Sequence, residues 1–266
     1  MFSNNTQGRA TVVCLHSSMS HGGQWRALVS RLGDDFNVIT PNLLGYSGAN
    51  DNFEQLRLED EVAAVMRQID GIDGELHLVG HSFGGAVALR LASMYADRIA
   101  SLTVYEPVWF SLLFDSGLGG DEIHEIDRIQ KLLGGKSRFQ QKRGAQDFID
   151  YWAGGDGWSH LPGEAQDRLV SLSSKVAAEF GALLAAGPAT QELASLDVPV
   201  QLLCGTNTRY SARTISELLA EILPGVEYHR LQGLAHMAPV TNADDVNPLI
   251  VDHILANAED AHVAVA

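Results

Sequence analysis

A serine flanked by glycines is the stretch of this sequence best suited to chemistry. Gly80-His81-Ser82-Phe83-Gly84 follows the pattern G-x-S-x-G, in which a serine occupies a strained turn between a strand and a helix. Glycine is favoured at both ends because a side chain there would collide with the neighbouring strand or helix. The helix that follows would point its free N–H groups and its dipole at an oxygen that gains negative charge. The pattern therefore predicts that Ser82 is a nucleophile.

The flanks of this motif fit a strand and a helix. Leu76 to Val79 is an apolar run of strand length, and the residues from Gly84 to Ala96 repeat small and apolar side chains at helical spacing. With these flanks the stretch resembles the α/β-hydrolase superfamily, and the resemblance extends over nearly the whole chain. It implies an α/β-hydrolase fold and a catalytic order of serine, then acid, then a histidine near the C-terminus.

The resemblance implies that His236 is the base. It lies in the loop Gly233-Leu234-Ala235-His236-Met237-Ala238-Pro239, which is similar to the family's histidine loop. A serine hydroxyl is a poor nucleophile until such a base takes its proton.

The acid departs from the usual family pattern. Thr208 stands where most relatives carry Asp. Some members, including a branch of the haloalkane dehalogenases, place the acid at the end of the strand after the nucleophile helix, and this chain has Glu106 there. A glutamate at the end of a buried strand is costly unless its charge is paired, and His236 is the natural partner. We therefore predict that Glu106 is the acid; the alternatives are a surface Glu106 and a Ser82–His236 dyad.

Two backbone N–H groups are expected to stabilise the oxyanion. One is that of Phe83, directly after the nucleophile. Relatives read His-Gly-x after the first strand, where this chain reads His16-Ser17-Ser18. The resemblance therefore assigns the second N–H to Ser18.

Strand and helix signals alternate along the chain, which predicts a mostly parallel sheet of about six strands with helices on both faces. The predicted strands are Ala10–Leu15, Phe36–Thr40, Leu76–Val79, Ile99–Tyr105, Val198–Cys204 and Val226–Leu231, and the clearest helices are Gln24–Leu32, Leu58–Ile69 and Val246–Ala256. Nine residues precede the first strand, where relatives have a hairpin. The sheet edge that this leaves exposed would need cover, for example from a second copy in a homo-oligomer.

Roughly ninety residues between Tyr105 and Val198 look mostly helical, and a structureless loop of that size is implausible in a compact domain. We predict a helical cap at 109–189, inserted into a core formed by 1–108 and 190–266. The cap would enclose a small-molecule pocket above the carboxyl ends of the strands. Candidate lining residues, mostly aromatic or apolar, are His16, Ser17, Trp109, Phe110, Trp152, Trp158 and Met237. For each tryptophan, packing within the cap is the alternative.

Charge and composition limit the partners. A formal net charge of -15 argues against nucleic acid and anionic membranes, which would repel such a surface. The sequence has no apolar run long enough to span a bilayer, and its first residues lack an apolar secretory segment, so a cytoplasmic protein is expected. Cys14 and Cys204 lie in separate apolar runs and are expected to be reduced. Because the sequence has no HExxH, CxxC pair or phosphate loop, no metal or organic cofactor is predicted.

The residues favour a serine hydrolase of the carboxylesterase type, acting on a small, partly apolar substrate through an acyl-enzyme. Two alternatives remain open from the sequence. One is hydrolysis of a carbon–carbon bond, or perhydrolysis, at the same triad. The other is a small-molecule receptor without catalytic activity, since a fold alone does not confer activity.

Overall fold

The structure is a computed structural model that describes residues 9–48, 53, 55–187 and 190–258. The first eight residues, on which the targeting prediction rests, lie outside this part, as does residue 189, where the predicted cap ends. The described strands are β1 Thr11–Leu15, β2 Asn37–Ile39, β3 Leu76–His81, β4 Ile99–Tyr105, β5 Val200–Gly205 and β6 Glu227–Leu231.

The helices alternate with these strands. Those of the core are α1 Arg26–Leu32, α2 Leu58–Gln68, α3 Phe83–Met94, α10 Tyr210–Ile222, α11 Ala238–Thr241 and α12 Ala243–Asn257. Those between β4 and β5 are α4 Phe110–Asp115, α5 Glu122–Leu133, α6 Arg138–Ala153, α7 Gly163–Ser171, α8 Ser173–Ala185 and α9 Thr190–Leu193. Short 3-10 helices occur at Gly22–Trp25, Ala96–Arg98 and Gly157–His160. The predicted helix Gln24–Leu32 thus begins as a 3-10 turn.

The described strands form one six-stranded sheet in the order β2-β1-β3-β4-β5-β6, and every pairing is parallel. This confirms the predicted α/β-hydrolase fold. In a parallel sheet the carboxyl ends of all strands lie along the same edge. The end of β3, which carries the nucleophile motif, therefore lies between the ends of β1 and β4.

Alternation along β1 shows how the sheet is covered on both faces. Val12 and Cys14 pack in one apolar cluster with residues of α1 and α12. Val13 and Leu15 pack in the other cluster with residues of α2 and α3. Because successive side chains of a strand point to opposite faces, a continuous apolar run is what a strand buried on both sides requires.

The outer strands of the sheet are short or partly exposed. β2 has 3 residues, all of intermediate burial, and the residues of β6 are exposed or half-buried. A very short edge strand offers few unpaired backbone groups to another chain. A homo-oligomer that covers this edge stays a prediction.

The helices between β4 and β5 form a layer with its own apolar centre that is continuous with the core. Phe180 of α8 contacts both Phe110 of α4, with ring centroids 5.0 Å apart, and Phe148 of α6, at 6.1 Å. Trp109, at the start of this layer, is fully buried. Among the described helices, none has the length and apolar character needed to cross a membrane.

The two cysteines provide a test of the sheet order. Cys14 on β1 and Cys204 on β5 are free and buried, with β3 and β4 between their strands. Burial raises the pKa of both thiols, that of Cys204 to about 12.

We expect neither thiol to react with a disulfide reagent such as dithionitrobenzoate in the native protein, and both to react in denaturant, because only the exposed thiolate attacks. Rapid reaction of a native thiol, or a disulfide between the two, would contradict the fold.

Candidate active site

Ser82 lies at the turn between β3 and α3. Its backbone has φ 55° and ψ -119°, a conformation that L-residues rarely adopt and that is held only where the surroundings enforce it. Its N–H donates to the carbonyl of Tyr105 on β4 at 3.1 Å. Ser82 is 5% exposed, so the turn presents the hydroxyl at the sheet edge while the backbone is fixed from β4.

The glycines of the motif are required by close backbone contacts. A Cβ on Gly80 would lie 2.6 Å from the carbonyl oxygen of Gly84, and a Cβ on Gly84 would lie 2.4 Å from the carbonyl oxygens of Leu15 and His16. Both distances are below any that real Cβ atoms show. The glycines of the motif therefore allow α3 to pack directly against the ends of β1 and β3.

His236 lies in the loop after β6 and touches both other predicted catalytic residues. Its Nε2 is 2.9 Å from Ser82 Oγ, and its Nδ1 is 2.7 Å from Glu106 Oε2. A carboxylate only accepts hydrogen bonds, so the proton of neutral His236 belongs on Nδ1. That leaves the lone pair of Nε2 to take the hydroxyl proton of Ser82.

Glu106 is the carboxylate that the structure brings to His236, and its side chain is fully buried. Its backbone has φ 41°, which turns the chain sharply at the end of β4. Oε1 accepts the backbone N–H of Gly205 at 2.8 Å, and Oε2 accepts the hydroxyl of Thr208 at 2.7 Å. Thr208, where relatives usually carry Asp, is thus a donor to Glu106.

Several side chains fix the loop that carries His236. His81, inside the nucleophile motif, directs Nε2 at the His236 carbonyl at 2.8 Å. The hydroxyl of Tyr105 donates to the carbonyl of Ala235 at 2.8 Å. Trp152 of α6 stacks on the His236 ring, with centroids 4.0 Å apart and planes inclined by 27°. Sequence reasoning missed His81 and Tyr105, although both are strand-end residues beside the predicted nucleophile and acid.

Gln24 joins the His81 contact to the loop after β1. Its Nε2 lies 3.0 Å from His81 Nδ1, while its Oε1 accepts the backbone N–H of Ser17 at 3.1 Å and the hydroxyl at 2.9 Å. Burial, followed by the charge of nearby His236, holds the pKa of His81 well below its usual value. His81 is therefore neutral and donates from Nε2.

Among the described residues, the backbone N–H groups of the predicted oxyanion donors, Ser18 and Phe83, are free of the kind of hydrogen bond that Ser17 makes. The N–H of Ser17 is occupied by Gln24. The N–H of Ser18 has no hydrogen-bond partner within the part of the chain that the structure describes. Phe83 is the first residue of α3, where N–H groups have no partner within the helix. The assignment of Ser18 and Phe83 to the oxyanion hole stays a prediction with which these features agree.

A cavity of about 810 Å³ is lined by Ser82 and His236 on one side and by residues of the helices between β4 and β5 on the other. Of the predicted lining residues, the structure places Ser17, Trp152 and Met237 on its wall. Lining residues that the sequence did not indicate include Met19, Phe148, Ile149, Leu169, Leu172 and Val240. Phe148 and Trp152 are four residues apart on α6 and so share one helix face, a spacing that could have identified this wall.

The structure does not place the other four predicted lining residues on this wall. His16 is fully buried, and its ring bonds to the carbonyl of Ser17 at 2.8 Å and the N–H of Leu43 at 3.1 Å. Burial lowers the pKa of His16 to about 4. Trp109, Phe110 and Trp158 are buried in the apolar cluster that joins residues of the sheet to residues of the helices between β4 and β5. The assignment of His16, Trp109, Phe110 and Trp158 to the substrate pocket stays a prediction, with which their burial does not agree.

The described residues contain no group of three or more His, Cys, Asp or Glu side chains arranged to hold a metal ion. The geometry around Ser82 matches the arrangement that acyl transfer requires, with the predicted nucleophile, base and acid in hydrogen-bond contact.

Comparison with known proteins agrees with this arrangement. The sequence profile of the Alpha/beta hydrolase family matches residues 12–249. The chain belongs to the alpha/beta hydrolase family. The family and the geometry of the site together support hydrolase activity.

Among the relatives of this alpha/beta hydrolase is lipase LipV of Mycobacterium tuberculosis, 35% identical over 45% of this chain and 42% of LipV. The chain thus spans less than half of LipV. A pimeloyl-[acyl-carrier protein] methyl ester esterase of Methylococcus capsulatus is 28% identical over 95% of this chain and 98% of the esterase. The solved structure of olei00960, a hydrolase from Oleispira antarctica, superposes with a TM-score of 0.74 at 20% identity, covering 94% and 92% of the two chains. That likeness shows the shared fold.

Gly84→Ala tests the packing at the motif. Because its Cβ would meet backbone atoms that cannot move without separating α3 from β1, we expect a loss of unfolding free energy of roughly 3 kcal/mol or more, as for other severe core clashes. Gly163→Ala is the matched control, since nothing lies within 4 Å of its Cβ position. Urea unfolding of both variants measures the difference, and equal stability would contradict the packing.

Glu106→Gln tests the acid. A glutamine keeps the shape of the side chain but loses the charge that orients His236 and stabilises its protonated form, so we expect turnover to fall by roughly ten-thousand-fold, as in other triads. Thr208→Asp in that background should restore part of the activity by rebuilding the commoner arrangement. Steady-state turnover of a short p-nitrophenyl ester is the measurement. Wild-type turnover in Glu106→Gln would favour a Ser82–His236 dyad instead.

Proposed function

We propose that this chain is a serine esterase that cleaves a carboxylic ester of a partly apolar substrate through an acyl-enzyme. The observation that carries the proposal is the continuous hydrogen-bonded chain from Ser82 through His236 to Glu106, at 2.9 Å and 2.7 Å. It lies on the wall of a cavity large enough for a small ester.

In the acylation step, Nε2 of His236 takes the hydroxyl proton as Ser82 Oγ attacks the acyl carbon. The carbonyl oxygen gains negative charge and accepts the N–H groups of Phe83 and Ser18. The protonated His236 then gives its proton to the leaving alkoxide, and the alcohol departs. The strained turn at Ser82 holds the nucleophile in place, so that little motion is required before attack.

In the deacylation step, a water replaces the alcohol, and His236 takes its proton as the water attacks the acyl carbon. Collapse of the second tetrahedral intermediate returns the proton to Ser82 and releases the acid. Throughout the cycle, Glu106 keeps the proton of neutral His236 on Nδ1 and stabilises the imidazolium. Gly205 and Thr208 hold this carboxylate in position.

The cavity wall supports an apolar substrate. Its cap side is formed largely by Phe148, Ile149, Trp152, Leu161, Leu169 and Leu172, with Arg168 and Ser171 beside them, whereas its core side carries serines and His236 next to Met19, Met237 and Val240. An apolar acyl or alcohol group would lose contact with water against the first wall, while its carbonyl would face the second. This division matches an ester with one polar reacting centre.

The names of two relatives point the same way. LipV is a lipase and the Methylococcus protein is a methyl ester esterase, and both names denote cleavage of an ester. Carbon–carbon bond hydrolysis would use the same triad, and no feature of the described wall favours it. A receptor without catalytic activity would have no need for a buried carboxylate hydrogen-bonded to His236.

Active-site labelling tests the nucleophile. A fluorophosphonate probe should label wild-type protein at Ser82, located by peptide mapping, because the base is within 2.9 Å of the hydroxyl. Ser82→Ala should lose the labelling and also lose ester turnover by about a million-fold, the scale found when a triad serine is removed. Circular dichroism checks that the variant is folded.

Substrate panels distinguish the candidate activities in the same preparation. Labelling together with turnover of short p-nitrophenyl esters supports the esterase. Labelling with turnover of a vinylogous diketone alone would indicate carbon–carbon bond hydrolysis. A folded wild-type protein that the probe does not label would reject the proposal and favour the receptor.

A further inference from the structure

A buried cluster of charged and polar side chains lies behind the predicted oxyanion hole. We call it the α8 cluster; its members are Lys175 and Glu179 of α8, Glu61 of α2, and Tyr46 and Ser18 of core loops. Glu61 and Glu179 are fully buried, and Lys175 is 2% exposed. The cap therefore contributes two charged groups to the interior of the core, next to the active site.

Glu179 binds the loop that carries the predicted oxyanion donor. One carboxylate oxygen accepts the hydroxyl of Ser18 at 2.5 Å, and the other accepts the hydroxyl of Tyr46 at 2.7 Å. The oxygen of Tyr46 in turn accepts the backbone N–H of Met19 at 2.9 Å. Two consecutive loop residues are thus tied to one carboxylate, and the second of them, Met19, has a strained φ of 55°.

Lys175 extends the cluster to the other predicted donor. Its ammonium group lies 2.5 Å from Glu61 and 3.2 Å from Glu179, and 5.1 Å from the centroid of the Phe83 ring. Glu61 also accepts the backbone N–H of Leu44 at 2.9 Å. The α8 cluster therefore contacts the residue on each side of the expected oxyanion.

Stability is a weak explanation for such a cluster. Buried charges lose their hydration, and replacing a buried ion pair by apolar residues of similar volume is often neutral or stabilising. The hydrogen bonds from Ser18 and Tyr46 have a more specific consequence, since a short charge-assisted bond fixes the position of its partner. The bond from the Ser18 hydroxyl to Glu179 leaves the backbone N–H of Ser18 unpaired within the described part of the chain and affects only its orientation.

We propose that Glu179, supported by Lys175 and Tyr46, is a positioning residue for the oxyanion hole. It holds the Ser18 loop so that the free N–H of Ser18 points at the same place as that of Phe83. Because Glu179 and Lys175 belong to the cap, the hole is complete only when α8 is seated on the core. This inference rests on the proposed function of Ser82.

The expected loss of turnover can be set from the effect of removing an oxyanion donor in other enzymes. Removing one oxyanion donor outright slows other enzymes by roughly a hundredfold to a thousandfold. A loosened loop still presents its N–H part of the time, so a loss of about tenfold to a hundredfold is expected when the bond to Glu179 is removed. The loss should fall on kcat and leave KM unchanged, because the donor acts on the transition state.

The test uses Ser18→Ala, Glu179→Gln and the double variant in the full chain. Ser18→Ala keeps the backbone N–H and removes only the hydroxyl. Each single variant should show lower kcat, unchanged KM and slower labelling of Ser82 by the fluorophosphonate, whose phosphoryl oxygen occupies the oxyanion site. The double variant should be no slower than the slower single variant, because Ser18→Ala acts only through the hydrogen bond to Glu179, which Glu179→Gln already alters.

Asp147→Asn is the control for a general effect of cap stability. Asp147 lies on α6 and pairs with Arg128 and Arg143, both in the cap. It should be labelled at the wild-type rate. Equal slowing in Asp147→Asn would assign the effect to the cap as a whole and overturn the proposal.

The remaining outcomes are also decisive. Ser18→Ala labelled as fast as wild type, or losses that multiply in the double variant, would overturn the positioning role. If Glu179→Gln does not fold, Ser18→Ala and Tyr46→Phe, which each remove one hydroxyl, decide the question by the same rates. A wild-type protein that is not labelled removes the proposed function together with this inference, whereas a labelled wild type with unaffected variants removes this inference alone.

Discussion

The hydrogen bond between His236 and Glu106 is the interaction on which the rest of the site depends. A carboxylate with no exposed surface is tolerated only if donors replace the water that it has lost. Gly205, Thr208 and His236 supply those donors. The position of Glu106 fixes one nitrogen of His236, and the other nitrogen is then directed at Ser82. The backbone of Gly205 lies close to that of Leu234 as well as to Glu106. A Cβ at this position would lie 2.1 Å from the carbonyl oxygen of Leu234, so only glycine fits there.

The sheet topology explains how residues so distant in sequence meet. Ser82 follows β3, Glu106 follows β4, Gly205 ends β5 and His236 follows β6, and these strands are consecutive neighbours in the parallel sheet. Their carboxyl ends therefore lie side by side along one edge. A carboxylate can stand after β4 or after β5 and still reach His236, because the two strand ends are adjacent. Replacing Asp by Thr208 is compatible with the site since Thr208 becomes a donor to Glu106.

Local sequence patterns predicted the residues around Ser82 but not which residues of the helical segment between β4 and β5 line the cavity. The glycines around Ser82 and the loop of His236 are recognisable because each position needs a particular backbone geometry. Glu106 could be inferred because its strand end was predicted and Thr208 carries no charge. The residues that line the pocket could not all be inferred in this way. Trp109 and Trp152 are the same residue type, and only the packing of the helices buries Trp109 in the apolar cluster and stacks Trp152 on His236. The ion pair of Lys175 and Glu61 could not be predicted from local sequence either, because the two residues are 114 positions apart.

The helices between β4 and β5, where the sequence predicts the cap, contact the site at two points. Trp152 stacks on the ring of His236, and its face therefore limits the orientations that the base can adopt. Glu179 bonds to Ser18, on the opposite side of Ser82 from the acid. The core holds the predicted acid and nucleophile, whereas residues of the helices between β4 and β5 contact the predicted base and the loop beside the expected oxyanion. In the proposed mechanism, a displacement of these helices would therefore change the geometry in which charge develops as well as access to the cavity.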